Sequence, residues 1–225
     1  MNRLIAILFL FCVNAAVAGL SDQERWQFEV LLDEKKIGYH DFLVSEKDGK
    51  QTVSSEARFN VKLFFVNIYS YRHQTEEVWR DNCLSAIEAE TAANGKDFLV
   101  RGKADAGEFK ILTESNENEL PPCIMTFAYW NPKFLKADSL LNSQTGDYEN
   151  VSIDREGEEV LQVNGLDIRA IRYSVNGAAA PITLWYAAAD HRWLALESMV
   201  NGGRVLRYKP VSLPESMPGF LAAGE

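Results

Sequence analysis

The sequence predicts an all-β fold: a mostly antiparallel meander forming a curved sheet or half-open barrel with one short plug helix. Three observations carry this expectation. Turn dipeptides recur at short intervals, at Asp48-Gly49, Asn94-Gly95, Asn164-Gly165, Asn176-Gly177 and Asn201-Gly202. Such pairs tolerate positive φ and favour tight turns whose twist matches flanking antiparallel strands. The runs between them are rich in Val, Ile, Phe, Tyr and Trp. No pattern of strand, long helix and strand occurs, which argues against a parallel sheet.

Strands are predicted near residues 25–33, 36–46, 50–61, 64–80, 83–92, 97–104 and 108–113. A second series is predicted near 147–154, 158–164, 167–176, 181–187, 193–200 and 203–209. The early strands alternate cleanly. Trp26, Phe28, Val30 and Leu32 share one face, opposite Gln27, Glu29 and Asp33. Val53, Ala57, Phe59 and Val61 likewise lie opposite Ser54, Glu56, Arg58 and Asn60, the pattern of a sheet with one wet side.

Two stretches break that pattern. From Phe64 to Tyr71 large apolar groups fall on both faces. The hairpin within Thr183–Val200 does the same. With a turn centred on Ala189 to Arg192, Trp185, Ala187, Leu194 and Leu196 share one face. Leu184, Tyr186, Trp193 and Ala195 share the other. A different loop length exchanges partners and leaves both faces apolar. An exposed patch of that size favours aggregation, so the second face is expected to be covered or to line an apolar interior. Residues 114–146 interrupt the meander. Asn131 suits a helix N-cap and Pro132 the first helical position. Phe134, Leu135, Leu140 and Leu141 would then form the apolar stripe of a helix of about ten residues, expected to plug the curled sheet.

The chain opens with an export address. Arg3 precedes the apolar run Leu4–Val13, and Ala16-Val17-Ala18 supplies small residues at the positions a signal peptidase reads. The expected organisation is a signal peptide at 1–18 and one antiparallel β domain at 19–225. The apolar run is shorter than the ~20 residues of a membrane span, and no later run is longer, so no transmembrane segment is expected after cleavage. Removing 18 of 225 residues leaves 207. Without Arg3, 22 basic residues stand against 32 acidic ones, a formal charge of −10. Such a surface repels phosphate backbones and argues against nucleic-acid partners.

Two cysteines remain, Cys83 and Cys123. Oxidising surroundings make a disulfide the expected state, with two buried thiols as the alternative.

The stretch "PITLWYAAADHRWLALESMVNGGRVLRYKP", with Gly38 in "KIGYHDFLV", resembles uncharacterised secreted β-protein families of Gram-negative bacteria, classed as domains of unknown function. In broad topology it is similar to periplasmic lipoprotein carriers, half-open antiparallel barrels plugged by helices. The resemblance implies a periplasmic location and a curved sheet, and it transfers no site residue.

Catalytic and metal motifs are sparse. His40, His73 and His191 show no H-x-x-x-H spacing, no metal-ligand cluster stands nearby, and no cofactor fingerprint occurs. His73 with Glu76 and Glu77 is the one acid–base set to consider, against the plainer reading of a polar strand end. His40 reads as a partly buried strand residue and His191 as a solvated turn.

The aromatics carry more information, either as core or as the wall of a pocket. Phe65, Tyr69, Trp130, Leu140, Trp185 and Trp193 are the candidates for lining an interior. The first functional expectation is a non-enzymatic periplasmic protein that binds or carries an apolar ligand, a lipid or acyl chain, in its curved sheet. The second is an envelope interaction module with a filled core. The third is a small-substrate lyase or hydrolase using His73, Glu76 or Glu77.

Overall fold

The structure, a computed structural model, describes residues 22–63, 66–200 and 202–215. The expected signal peptide, Phe64 and Phe65 lie outside the described residues.

Eight strands run in sequence as a meander: β1 (Asp22–Leu32), β2 (Lys35–Lys47), β3 (Lys50–Leu63), β4 (Val66–Arg80), β5 (Cys83–Ala93), β6 (Lys96–Asp105), β7 (Glu108–Thr113) and β8 (Glu117–Leu120). A long excursion, residues 121–151, follows; we call it the strap. It holds a 3₁₀ turn (Pro132–Lys136), β9 (Ser139–Leu141) and β10 (Tyr148–Asn150). A second meander then runs through β11 (Ser152–Val163), β12 (Leu166–Asn176), β13 (Ile182–Ala187), β14 (Trp193–Val200) and β15 (Arg204–Ser212).

The two meanders are one sheet because β15 pairs antiparallel with β1. The junction is pinned beyond the ladder. Asp33, just past β1, accepts from the Val205 backbone N at 2.9 Å and from Arg204 Nε at 2.7 Å. The thirteen-stranded order is β11-β12-β13-β14-β15-β1-β2-β3-β4-β5-β6-β7-β8, so the outer edges are β11 and β8 and the sheet does not close. The strap joins these two edges. β9 and β10 pair only with each other as strands.

Thirteen strands at about 4.8 Å spacing would span roughly 58 Å if flat. Instead Phe109 and Ile111 of β7 belong to the same buried cluster as Val175 of β12 and Leu184 of β13. The sheet therefore curls, as twisted sheets of this width tend to do. Trp26, Phe28, Val30, Val53, Ala57 and Phe59 all face this concave core, as the alternation predicts.

Gly38 has a mechanical role here. A Cβ at this position would stand 1.7 Å from the Arg58 carbonyl oxygen of β3. Only glycine lets β2 approach β3 this closely, at the point where the β1–β2 register shifts between Val30 and Leu31.

The strap fills the concave side. Ile124, Trp130, Phe134, Leu140 and Leu141 are buried in the main cluster. The Cys83–Cys123 disulfide ties the strap to the start of β5, as expected, and Leu84 N donates to Ile124 O beside it at 3.0 Å. At the far end Gly146, at φ +81, lies so close to Thr113 that a Cβ would stand 2.4 Å from its methyl.

The expected plug helix over 131–142 is corrected. Asn131 does cap, accepting from Lys133 N at 3.1 Å with Pro132 following, but only five residues turn. Ala137 is extended and the backbone then enters β9. Leu141 N bonds Met125 O at 2.8 Å instead of a helical carbonyl. A one-turn helix is marginal by itself, and strand pairing within the strap buries Leu140 and Leu141 more completely. Other differences are local. β8 lies where only polar irregular chain was expected, and 152–163 is one strand with a bulge near Gly157 in place of two.

The two-faced hairpin is found, with its partners exchanged. A register shift between Trp185 and Tyr186 pairs Tyr186 with Trp193. Leu184, Tyr186, Trp193 and Leu196 join the concave core. Trp185, Ala187, Leu194 and Ala195 form a second, convex-side cluster under Leu161, Ile168 and Leu213. Around Tyr71 the outcome differs: Ile68 and Tyr69 remain exposed at 49% and 38%.

Candidate functional site

A concavity of about 270 Å³ lies between the concave face and the strap. β2, β3 and β4 build one wall through His40, Phe42, Val53, Ser55, Tyr71 and His73. Strap residues Thr126 to Trp130 and Asn142 to Gln144 form the cover, and β14 and β15 contribute Leu196, Ser198 and Tyr208.

Strand periodicity sets the polar row inside. On β4, Tyr71, His73, Thr75, Glu77 and Trp79 alternate inward. Their register partners across β3 are Phe59, Ala57, Ser55, Val53 and Gln51. The row is satisfied step by step. Ser55 and Thr75 share a hydrogen bond of 2.8 Å. His73 Nδ1 lies 2.7 Å from Thr91 Oγ1, and its Nε2 lies 3.3 Å from Ser143 Oγ on the strap. Tyr71 donates to Gln144 Oε1 at 3.0 Å. Trp79 Nε1 donates to Glu77 Oε2 at 2.8 Å, and Thr126 on the strap also bonds the Glu77 carboxyl.

Burial dominates the electrostatics. It holds His73 down at about 4 and pushes Glu77 up to about 7, against the pull of its two hydrogen bonds. His40 is held well below the usual histidine range, first by burial and then by the neighbouring His73. As a residue His40 is only half-buried, but its Nε2 is out of reach of solvent. Burial also raises the phenols of Tyr71, Tyr129 and Tyr208.

Four buried side-chain polar atoms lack a hydrogen-bond partner among the described residues, and two of them belong to this cavity: His40 Nε2 and Glu149 Oε2. His40 Nδ1 is taken by Tyr208 OH at 3.1 Å, and Glu149 Oε1 by Asn142 Nδ2 at 2.7 Å. Each of these side chains therefore has one atom committed to the fold and one left over. Buried polar atoms are normally paired, so the two leftover atoms set this site apart from the satisfied row on β4.

Of the described residues expected to line an interior, only Trp130 lines this cavity; it packs edge-on against Trp79 at 5.6 Å. Trp193 and Leu140 are fully buried in the adjoining core, Trp193 against Phe28 at 4.4 Å. Trp185 lies on the opposite face, where its Nε1 donates to Glu159 at 2.6 Å. Tyr69 is exposed, and Phe65 lies outside the described residues.

The acid–base set is not brought together. Glu76 faces outward, while His73 and Glu77 bond to separate threonines. A histidine at about 4 also lies well below the range in which a general base works best near neutrality. No group of three or more His, Cys, Asp or Glu side chains is placed to hold a metal among the described residues.

Sequence reasoning missed His40, Glu149, Ser143 and Tyr208 as a group. The β4 row was legible in part: Tyr71, His73, Thr75, Glu77 and Trp79 occupy alternate positions ending on a tryptophan, which marks the inward face.

The fold and site together define an open, curved antiparallel sheet whose concave face is covered by a disulfide-anchored strap over a semi-polar cavity. The chain belongs to the family described as a domain of unknown function (DUF6134), whose sequence profile matches residues 28–211. That match runs from β1 into β15 and so spans the whole sheet and the strap. A comparison with curated proteins finds no match. Among the described residues no helix is long and apolar enough to cross a membrane.

Proposed function

We propose that this is an exported, non-enzymatic binding protein that holds a small, mainly apolar ligand between the concave sheet and the strap. The observation that carries the reading is the pair of leftover polar atoms, His40 Nε2 and Glu149 Oε2, in a cavity where aromatic and aliphatic side chains stand beside a hydrogen-bonded polar row. A mostly apolar pocket with a few convergent polar groups is the usual form of a small-molecule site. At about 270 Å³ the cavity falls just below the ~300–1,000 Å³ range of such sites, which favours a compact ligand or a short acyl chain over a whole lipid. Export to the periplasm rests on the leader-like N-terminus and the disulfide, which suits an oxidising compartment.

Native mass spectrometry of protein purified from its host tests the binding. The expected result is a mass above that of the polypeptide, lost on extraction with organic solvent. A bare polypeptide mass, together with no uptake of an environment-sensitive apolar dye, would refute it. Sequencing the N-terminus of the cellular protein tests export: it should begin at Gly19, and finding Met1 there rules export out.

A further inference from the structure

We infer that the cavity is a site for a small organic ammonium ion, with its charged head against Glu149 and Glu77 and its hydrocarbon body among the aromatic rings. This rests on reading the cavity as a ligand site and adds the chemical class of the ligand.

Charge composition is the first argument. Among the described residues two carboxyl side chains, Glu77 and Glu149, line the cavity, and neither lysine nor arginine does. The two histidines in the wall are held below their usual range by burial, so at neutral pH they bring no positive charge. A carboxylate or phosphate ligand would be buried here beside acidic groups with no basic partner, which is strongly unfavourable. A fatty acid with a free carboxylate is therefore a poor occupant, whereas a cation finds acidic side chains to pair with.

Geometry is the second. Glu149 Oε2 is buried and accepts from no donor among the described residues, while its other oxygen is fixed by Asn142. An ammonium group carries only donors and so completes this acceptor. Glu77 is bonded by two neutral donors, Trp79 and Thr126. These fall short of balancing its burial, since its carboxyl still sits at about 7, and a cation nearby would offset that deficit.

The walls are the third. Phe42, Tyr71, Phe127, Tyr129, Trp130 and Tyr208 all contribute to the lining. Aromatic faces attract ammonium ions through their quadrupoles and accept a hydrocarbon body equally well. Acid without base, an open acceptor and aromatic walls together select an amine over an alcohol, and either over an acid.

Three probes of nearly one shape test this by calorimetry on the purified protein: 2-phenylethylamine, 2-phenylethanol and phenylacetate. The amine is expected to bind about tenfold more tightly than the alcohol, the scale of one hydrogen bond to a charged group, and phenylacetate is expected not to bind. Glu149→Gln keeps the Asn142 contact and should cost the amine about tenfold more than it costs the alcohol. Ala180→Trp, on the loop between β12 and β13 that lines the cavity, should block every probe. Equal binding of amine and alcohol, or tightest binding of phenylacetate, overturns the ammonium assignment and leaves the ligand site standing. Binding that survives Ala180→Trp overturns the assignment to this cavity. Failure of all three probes overturns the assignment and the ligand-site reading with it. If Glu149→Gln does not fold, the ranking of the three probes on the unaltered protein decides.

Discussion

Replacing Glu77 by glutamine should change how stability depends on pH, with a sign and size set by the concave face. The Glu77 carboxyl sits at about 7 in the fold, against 4.5 for the free side chain. Between these values the folded state holds a proton that the unfolded chain has released, so stability falls as pH rises through the window. At roughly 1.4 kcal/mol per pH unit the loss is about 3 kcal/mol. His73, at about 4 against 6.5, acts the other way. There the unfolded chain holds the extra proton, so stability rises with pH across about 4 to 6.5, also by about 3 kcal/mol. His40 is lowered too and adds to the rising trend. In the natural protein the Glu77 contribution therefore masks part of the histidine contribution between about pH 4.5 and 6.5. Glu77→Gln removes the falling component, and its amide oxygen can still accept from Trp79. Urea denaturation followed by tryptophan fluorescence from pH 4 to pH 8 should show the variant gaining about 3 kcal/mol relative to the natural protein over that range. Parallel curves for the two proteins would refute the assignment of Glu77 as the titrating group.

The remaining predictions concern the architecture. Replacing both Cys83 and Cys123 with serine should lower stability by about 4 kcal/mol on the loop-closure model for a separation of 40 residues; an unchanged urea midpoint would show that the strap is held by its packing alone. Phe134→Ala removes a fully buried ring from the 3₁₀ turn of the strap and should cost about 3–5 kcal/mol in equilibrium unfolding. A cost below about 1 kcal/mol would place this turn outside the cooperative core. Gly38→Ala sets a methyl against the Arg58 carbonyl, so the purified variant should melt well below the natural protein or fail to fold. An unchanged thermal midpoint would show that β2 and β3 can separate there at little cost.

How much of this was legible in the sequence depends on how local the governing physics is. The meander was legible because its turns are local chemistry: Asp48-Gly49 and Asn94-Gly95 form the turns β2–β3 and β5–β6 with positive φ at both residues. The face carrying Trp26, Phe28 and Val30 was legible because strand periodicity needs no partner. The hairpin around Trp185 was half legible. Its two apolar faces followed from composition, but which leucine joined which face turned on one register shift, and register is a property of two strands. The strap marks the limit. Its capped Asn131-Pro132 start is a helix signal, and the helix ends after five residues because Leu141 finds Met125 and Tyr148 as partners across the strap. The cavity lies beyond that limit, since His40, His73, Glu149 and Tyr208 come from four distant parts of the chain. What joins them is the pairing of β15 with β1 and the strap laid over the curled sheet, which place side chains that look like a polar strand end, a strap acid and a final-strand tyrosine around one cavity. Each is unremarkable at its own position. Burial in common is what lowers the histidines, raises Glu77 and leaves Glu149 with an acceptor to fill.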